Sequence, residues 1–251
     1  MKNLLKFEFH KLKTQKSFYV CTVIMAALLM LTILAAKAVA GADAEDGSAF
    51  TTSGTEIMLN GVSSASFTLI AGIFVALFVC EDYEQQTVKN IYSRGYSRIQ
   101  VYFSKLFTVW FATTVMYVVV VALAFASGAY FFGVGYTGDL WFIAVLAVQY
   151  VACMANVGMC FAISSVMRKN GSSIAFVIVA PMLVNIAFGL IDSLLKSDKF
   201  SVTSLWLSSF MTDLTAIDIG SGRLAACLSA SLVYIAFFVF AGMGINSKNQ
   251  T

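Results

Sequence analysis

Six long stretches of the sequence contain no charged residue, and this feature constrains the fold more than any other. Only 12% of the 251 residues are charged, about half the share found in soluble domains. A helix that crosses the hydrocarbon core needs about 20 mostly apolar residues, and every stretch is long enough. We therefore predict a polytopic membrane protein and exclude a soluble enzyme. The stretches cover residues 17–36, 57–80, 106–138, 140–167, 170–191 and 224–247.

The apolar stretches are predicted to be helices. Residues 115–126 and 174–181 are apolar on every face, whereas the strands of a membrane barrel alternate apolar and polar residues. In lipid, a continuous apolar segment satisfies its backbone hydrogen bonds as a helix. The expected fold class is one all-α transmembrane domain over residues 1–251 with six spans. These are predicted at about 17–38, 60–81, 105–129, 140–165, 171–193 and 224–246.

Basic residues are distributed unequally between the two sides of this arrangement. With six spans, one side holds both termini and the second and fourth loops, and it carries 12 basic residues against 4 on the other side. Because Lys and Arg are enriched in cytoplasmic loops, both termini are predicted to be cytoplasmic. The 12 are Lys2, Lys6, Lys11, Lys13, Lys16, Lys89, Arg94, Arg98, Lys105, Arg168, Lys169 and Lys248. The 4 are Lys37, Lys196, Lys199 and Arg223.

Residues 1–16 are too charged to span, and we predict that they form an amphipathic elbow helix at the membrane surface. Glu8 and Lys16 intrude on its apolar arc. The alternative is a basic flank of the first span that has no specific role. The arc comprises Leu4, Leu5, Phe9 and Leu12.

The segment between spans five and six, residues 197–222, is too apolar for an ordinary loop. Its uncharged run between Lys199 and Asp213 is 13 residues, which is too short to cross the membrane. We predict a re-entrant or interfacial segment that folds back onto the outer end of the helix bundle.

The loop after span two is long enough to build structure of its own. Residues 83–94 are predicted to form a short helix that ends at Gly95. Ser97 then opens a second helix, with Gln100 at the spacing of a capping box, and this helix is expected to run directly into span three. Together they form a cytoplasmic hairpin over residues 83–104.

The hairpin is predicted to be a docking surface. Apolar side chains beside charges of both signs are typical of a helix that enters a groove on a partner. The alternative is that the hairpin only rests on the bilayer surface. The residues expected to enter the groove are Glu84, Val88, Ile91 and Tyr92, with Lys89 and Arg94 at its flanks.

The hairpin sequence resembles the inner loop of ABC-2-type transporter permeases. The similarity consists of an acidic and aromatic end to span two, then E-x-x-T-x-K-N, then G-x-S-R, and an aromatic residue before S-K. Relatives usually place a glycine before the threonine, where this chain has Gln86. The matching residues are Glu84, Thr87, Lys89, Asn90, Gly95, Ser97, Arg98, Tyr102, Ser104 and Lys105.

This resemblance implies the permease subunit of an ATP-driven exporter in a bacterial cytoplasmic membrane. Its expected partners are two ABC ATPase subunits, which bind ATP and Mg, a second permease chain, identical or paralogous, and membrane lipid. No nucleic-acid partner is expected. In size the chain is similar to small permeases of bacitracin, lantibiotic and phenol-soluble modulin export and immunity systems. An amphipathic or antimicrobial peptide is therefore the implied substrate, by analogy with the family.

The sequence carries no catalytic signature. The dipeptide Gly-Lys does not occur, so the chain has no phosphate loop of the G-x-x-x-x-G-K-[ST] type. The single histidine, His10, gives no material for a histidine metal cluster. We expect no catalytic residue, metal or cofactor in this chain, and ATP hydrolysis in a partner subunit.

Polar residues inside the spans are candidates for a translocation pathway. Gln149 and Asn156 lie seven residues apart and so share a helical face, and Asn185 and Asp192 repeat this spacing. Interhelical hydrogen bonding is the alternative role, and Asp192 has the further alternative of an outer-interface position.

Two other functions of the whole protein stay open. One is a secondary transporter or channel, which is disfavoured because no charge falls near the middle of a span. The other is a non-transporting immunity or scaffold protein.

Overall fold

The computed structural model describes residues 2–43, 54–63, 65–133, 140–195, 202–215 and 219–248, and every regular element in them is helical. Six helical segments are long and apolar enough to cross a membrane, which confirms the all-α polytopic fold. The helices are α1 (Lys2–Thr14), α2 (Lys16–Asp43), α3 (Gly54–Ser63), α4 (Ala65–Glu84), α5 (Thr87–Ser93), α6 (Arg98–Phe132), α7 (Leu140–Met167), α8 (Asn170–Leu195), α9 (Leu207–Asp213) and α10 (Ser221–Lys248), with a 3₁₀ turn at Thr203–Leu205 before α9.

The predicted spans fall on these helices. Five of them lie within α2, α6, α7, α8 and α10, and the predicted second span extends across α3 and α4. Helix α6 has 35 residues and is therefore about 50 Å long. Because the hydrocarbon core is about 30 Å thick, α6 is long enough to project well beyond it.

The core lies where α4, α6 and α7 face one another. Fully buried aromatic and methionine side chains fill it, among them Phe67, Phe74, Phe78, Met116 and Phe161. In contrast, α8 exposes most of its apolar side chains, and such a surface is suited to lipid tails or to another apolar helix. The bundle therefore has a tightly packed centre and an apolar periphery.

Helices α3 and α6 approach each other through glycines. A methyl group at Gly54 would lie 2.8 Å from the Gly133 carbonyl oxygen, and one at Gly128 would lie 2.9 Å from the Gly54 carbonyl oxygen. Both distances are too short for a carbon–oxygen contact. Small residues allow membrane helices to pack backbone against backbone, and here this contact fixes α3 against span three.

Residues 202–215 pack onto one end of the bundle. Asp192, near the end of α8, accepts a hydrogen bond from the Thr203 backbone N–H at 3.0 Å and so holds the 3₁₀ turn in place. Residues 197–201 and 216–218 of the predicted outer segment lie outside the described residues. The apolar side chains buried against the bundle are Trp206, Leu207, Phe210, Met211 and Leu214.

Candidate functional site

Three segments meet at the opposite end of the bundle, which we call the hairpin end. They are α1, the stretch from the end of α4 through α5 to the start of α6, and the turn between α7 and α8. Side-chain contacts join all three. The hairpin end contains every residue that the sequence assigned to partner docking.

The hairpin differs from its prediction at its first helix. The helix expected over 83–94 is divided, because α4 continues to Glu84 and α5 begins at Thr87. Gln86 separates them in the left-handed backbone region, with φ 55°. The Thr87 hydroxyl donates to the Asp82 carboxylate at 3.2 Å and holds this turn together. Glycine is the residue that adopts this conformation without steric cost, whereas this chain has Gln86 here.

The start of α6 is capped as predicted. The Ser97 hydroxyl accepts from the Gln100 N–H at 3.3 Å, and the Gln100 side-chain oxygen accepts from the Ser97 N–H at 3.2 Å. Gly95, with φ 84°, provides the left-handed turn between the two helices. Helix α6 then continues without interruption into span three, so the second arm of the hairpin and the span are one helix.

Val88 and Ile91, which the sequence assigned to a partner's groove, are buried in the chain's own fold. Their exposed fractions are 5% and 8%, and Ile91 packs with Leu4 of α1 and Val101 of α6. The chain's own elbow helix therefore covers Ile91, which is part of the apolar face that the sequence assigned to a partner's groove. The other predicted docking residues are placed differently: Glu84, Lys89 and Arg94 are exposed and Tyr92 is half-buried.

Glu84 connects the hairpin to the turn between α7 and α8. Its carboxylate accepts a hydrogen bond from the Asn170 backbone N–H at 2.7 Å and another from the Asn170 side-chain amide. Asn170 is the first residue of α8, and a carboxylate is favourable at a helix N-terminus. Movement of the hairpin is thereby linked to span five as well as span three.

A buried ion cluster connects four elements of the hairpin end. Asp82, at the end of α4, accepts from the Lys105 ammonium of α6 with one carboxylate oxygen. The other oxygen accepts from the Lys11 ammonium of α1 at 2.6 Å and from the Thr87 hydroxyl of α5. Asp82 and Lys105 are each 2% exposed. One carboxylate thus holds α1, α4, α5 and α6 together.

Lys11 extends this cluster toward the surface. Its ammonium donates to the Phe78 carbonyl oxygen at 3.1 Å and lies 3.7 Å from a carboxylate oxygen of Glu81. Gln15 donates to the same oxygen of Glu81 at 2.6 Å. Burial lowers the pKa of Lys11, whereas the carboxylates of Glu8 and Glu81 act in the opposite direction. Its charge therefore depends on the surrounding carboxylates taken together, of which Asp82 is the directly bonded one, because an unpaired buried ammonium is strongly unfavourable.

Glu8 is the innermost acidic residue of the cluster. Its side chain is fully buried, and its nearer carboxylate oxygen lies 3.8 Å from the Lys105 ammonium. Neither carboxylate oxygen accepts a hydrogen bond in the described part of the chain. Leu4 and Leu12, one turn away on either side, are also buried. The charge that interrupts the apolar arc of α1 is thus the one that faces the cluster.

The three predicted pathway residues are used for contacts between or within helices. Gln149 is fully buried and donates to the Leu59 carbonyl oxygen at 2.8 Å, which connects α7 to α3. Asn156 donates to a carbonyl oxygen of its own helix at 3.3 Å. Asn185 accepts from the Ser208 hydroxyl at 2.8 Å and connects α8 to α9. The structure does not bring them together, and their position along a pathway stays a prediction.

Glu8, Lys11 and Asp82 belong to the site although the sequence pattern did not assign them to it. Two features of the sequence single out Glu8 and Asp82. Glu8 was the misplaced charge on the apolar arc of α1, and Asp82 belongs to the acidic end of span two. Neither signal identifies a partner, because the cluster joins remote residues such as Lys11 and Asp82, which are 71 positions apart in the chain.

The match to a known family extends over this entire site. The family model described as ABC-2 family transporter protein matches residues 4–186, which includes α1, the hairpin, the ion cluster and most of α8. Among curated proteins none matches the chain. Members of the family are membrane components of transporters and are not themselves catalytic. Since the match covers well over half of its length, this chain belongs to the ABC-2 family of transporter proteins.

Proposed function

We propose that this chain is the permease subunit of a bacterial ATP-driven exporter and that a separate ATPase docks on its hairpin end. Membership of the ABC-2 family supports a permease with an ABC ATPase as partner. The family assignment also favours this function over an ion-gradient transporter. ATP and Mg would be bound by that partner.

The observation that carries the proposal is the four-element connection at Asp82. A force on the hairpin has to reach the spans through elements that move together. The Asp82 carboxylate joins α1, α4, α5 and α6, and α6 extends from the hairpin through the whole of span three. Displacement of α5 would therefore move the ends of two spans and the elbow helix as one unit.

The exposed edge of the hairpin is the proposed contact surface. It comprises Glu84, Lys89, Asn90 and Arg94. Val88 and Ile91 support this edge from inside, where they pack against the rest of the chain. Replacing either with Asp would unfold the hairpin and so would not separate docking from stability.

The hairpin end is proposed to face the cytoplasm, where ATP is available. Most basic residues of the chain lie in the segments that form this end, as expected for cytoplasmic segments. A cysteine at Arg94 should react with an impermeant reagent only after permeabilisation, and one at Thr212 should react from outside. The reverse labelling pattern would show that the hairpin end faces outward and would contradict the proposed topology. The five native cysteines are buried and should not react with the reagent.

The proposed assembly has two permease chains and two ATPase subunits. Six spans enclose little surface for an amphiphile, and the exposed apolar side chains of α8 and α10 offer area for a second chain. By resemblance to the small permeases of peptide-antibiotic systems, the proposed substrate is an amphipathic or antimicrobial peptide. Reconstitution with such peptides would test this substrate class separately from ATPase docking.

Site-specific photocrosslinking in native membranes tests the docking directly. A photoreactive residue at Asn90 should crosslink to a protein that carries a phosphate loop, identified by mass spectrometry. The same group at Thr212, which is exposed at the other end of the bundle, is the matched control and should not. Crosslinks to lipid alone from Asn90 would show that the hairpin only rests on the membrane.

A further inference from the structure

A cavity of about 550 Å³ lies between the hairpin and the turn that joins α7 to α8. We call it the hairpin cavity. Its lining combines residues at the ends of α4, α6 and α7, namely Tyr83, Arg98 and Met167, with Val88 and Tyr92 of α5. The cavity is therefore built from helix ends at the hairpin end of the bundle.

The hairpin cavity is strongly basic. Its lining includes four basic side chains and a single acidic one. The acidic residue, Glu84, already accepts two hydrogen bonds from Asn170. Basic residues therefore outnumber acidic ones in the lining, and this favours an anionic ligand. The four basic residues are Lys89, Arg98, Arg168 and Lys169.

Aromatic rings hold the two arginines at the cavity wall. The Arg168 guanidinium carbon lies 5.5 Å from the centre of the Tyr83 ring, and that of Arg98 lies 6.0 Å from the centre of the Tyr92 ring. Both distances are in the range of cation–π attraction. Arginine is the residue best suited to phosphate, because its planar guanidinium matches two phosphate oxygens.

Strained backbone is concentrated in the same cavity. In the described part of the chain, Gln86 and Arg168 are the two residues other than glycine with positive φ, at 55° and 57°. Both line the cavity. Such conformations persist where the surrounding structure determines them, and they cluster at functional sites. The turn at Gln86 and the turn at Arg168 are therefore both held in an unfavourable backbone conformation.

We propose that the hairpin cavity binds the phosphate headgroup of an anionic phospholipid. Basic pockets between transmembrane helices on the cytoplasmic side are suited to such headgroups. Val88, Met167 and the two tyrosine rings add the apolar surface that the glycerol region of a lipid requires. A bound headgroup would bridge α5 and the turn before α8. This inference rests on the cytoplasmic orientation proposed above and does not depend on a docked ATPase.

Lipid retention by the purified full-length chain tests the proposal. The chain in maltoside detergent is titrated with dioleoyl phosphatidylglycerol, and bound lipid is counted by native mass spectrometry alongside the melting temperature. The test variant is R168Q/K169Q. The matched control is K6Q/K13Q, which removes the same charge from exposed positions on α1. Each cation near a membrane surface contributes about fivefold, so the test variant should bind roughly 25-fold more weakly and the control should bind like the wild type.

Further arms separate the possible sources of the anion. Dioleoyl phosphatidylcholine and inorganic phosphate should not reproduce the stabilisation by phosphatidylglycerol. Equal retention of phosphatidylglycerol by test variant and control would overturn the proposal, as would saturable stabilisation by inorganic phosphate alone. If R168Q/K169Q retains lipid normally but loses its ATPase in native membranes, the cavity receives an acidic group of the partner instead of a lipid. If the double variant does not fold, K169Q alone replaces it as the test variant, because the Lys169 side chain is exposed. It should weaken lipid binding about fivefold.

Discussion

The carboxylate of Asp82 and the ammonium of Lys105 form an ion pair that is closed to solvent, although they are 23 positions apart in the chain. Asp82 lies two residues before the end of α4, and Lys105 lies two turns into the helix that becomes span three. Between them the chain makes the entire hairpin. The pair therefore closes the base of the hairpin, and Lys11 attaches the elbow helix to the same point.

Loss of the Asp82 carboxylate should destabilise the chain strongly. Asp82→Asn keeps the shape of the side chain but leaves the Lys11 and Lys105 ammonium groups without their carboxylate, at a cost of about 3–5 kcal/mol. The free energy of unfolding in detergent measures this loss. Asp213→Asn is the matched control, because its pair with Arg223 is one-third exposed and should contribute at most about 1 kcal/mol. Equal small losses of stability in both variants would show that the ion cluster does not depend on Asp82.

Glu8, in contrast, should tolerate loss of its charge. Its carboxylate accepts no hydrogen bond in the described part of the chain, and Lys105 is already paired with Asp82. Glu8→Gln should therefore change the free energy of unfolding by less than about 1 kcal/mol. The same unfolding assay in detergent makes the comparison with Asp82→Asn. A loss as large as that of Asp82→Asn would show that Glu8 is an essential counter-ion of Lys105.

Features that depend on neighbouring residues could be predicted from the sequence. The six spans follow from the lengths of the uncharged stretches. The cap at Ser97 and the turn at Gly95 follow from local hydrogen bonding and backbone freedom. Each of these is determined within a few residues, and the structure contains all of them.

Features that depend on tertiary contacts could not be predicted. The apolar face of α5 has the pattern of a docking surface, and the pattern does not show whether a partner or the chain's own α1 covers it. Ile91 is covered by Leu4, 87 positions earlier in the sequence. The pairing of Lys11 with Asp82 is similarly remote. Charge positions in a sequence show which residues need partners, but the fold decides which partners they find.

Replacing Gln86 with glycine should stabilise the turn after span two. Gln86 holds a left-handed conformation, with φ 55°, that disfavours residues with a side chain. Gln86→Gly should raise the free energy of unfolding by about 0.5–1 kcal/mol, after the added flexibility of the unfolded chain is subtracted. Gly95→Ala, at φ 84° and in open space, should lower it by about 1 kcal/mol. Chemical denaturation in detergent measures both, and a loss for Gln86→Gly would mean that its side chain stabilises the turn.

Enlarging Gly128 should force α3 away from α6. A methyl group there would lie 2.9 Å from the Gly54 carbonyl oxygen, and such overpacking costs about 1–3 kcal/mol. Gly158→Ala on α7 is the control, because no atom lies within 4 Å of its added methyl group, and it should be neutral or slightly stabilising. Melting temperatures of the two variants give the comparison. Identical values would show that the two glycines do not set the distance between the helices.

The central claim is that the exposed edge of the hairpin holds the ATPase, and charge reversal on that edge tests it most directly. Lys89→Glu/Arg94→Glu should leave the melting temperature of the chain unchanged, because both side chains are exposed. It should nevertheless abolish copurification of the phosphate-loop ATPase from native membranes. Lys6→Glu/Lys13→Glu reverses two exposed charges on α1 and should retain the partner. Full retention of the ATPase by the hairpin variant, or equal loss in both variants, would contradict docking at the hairpin edge.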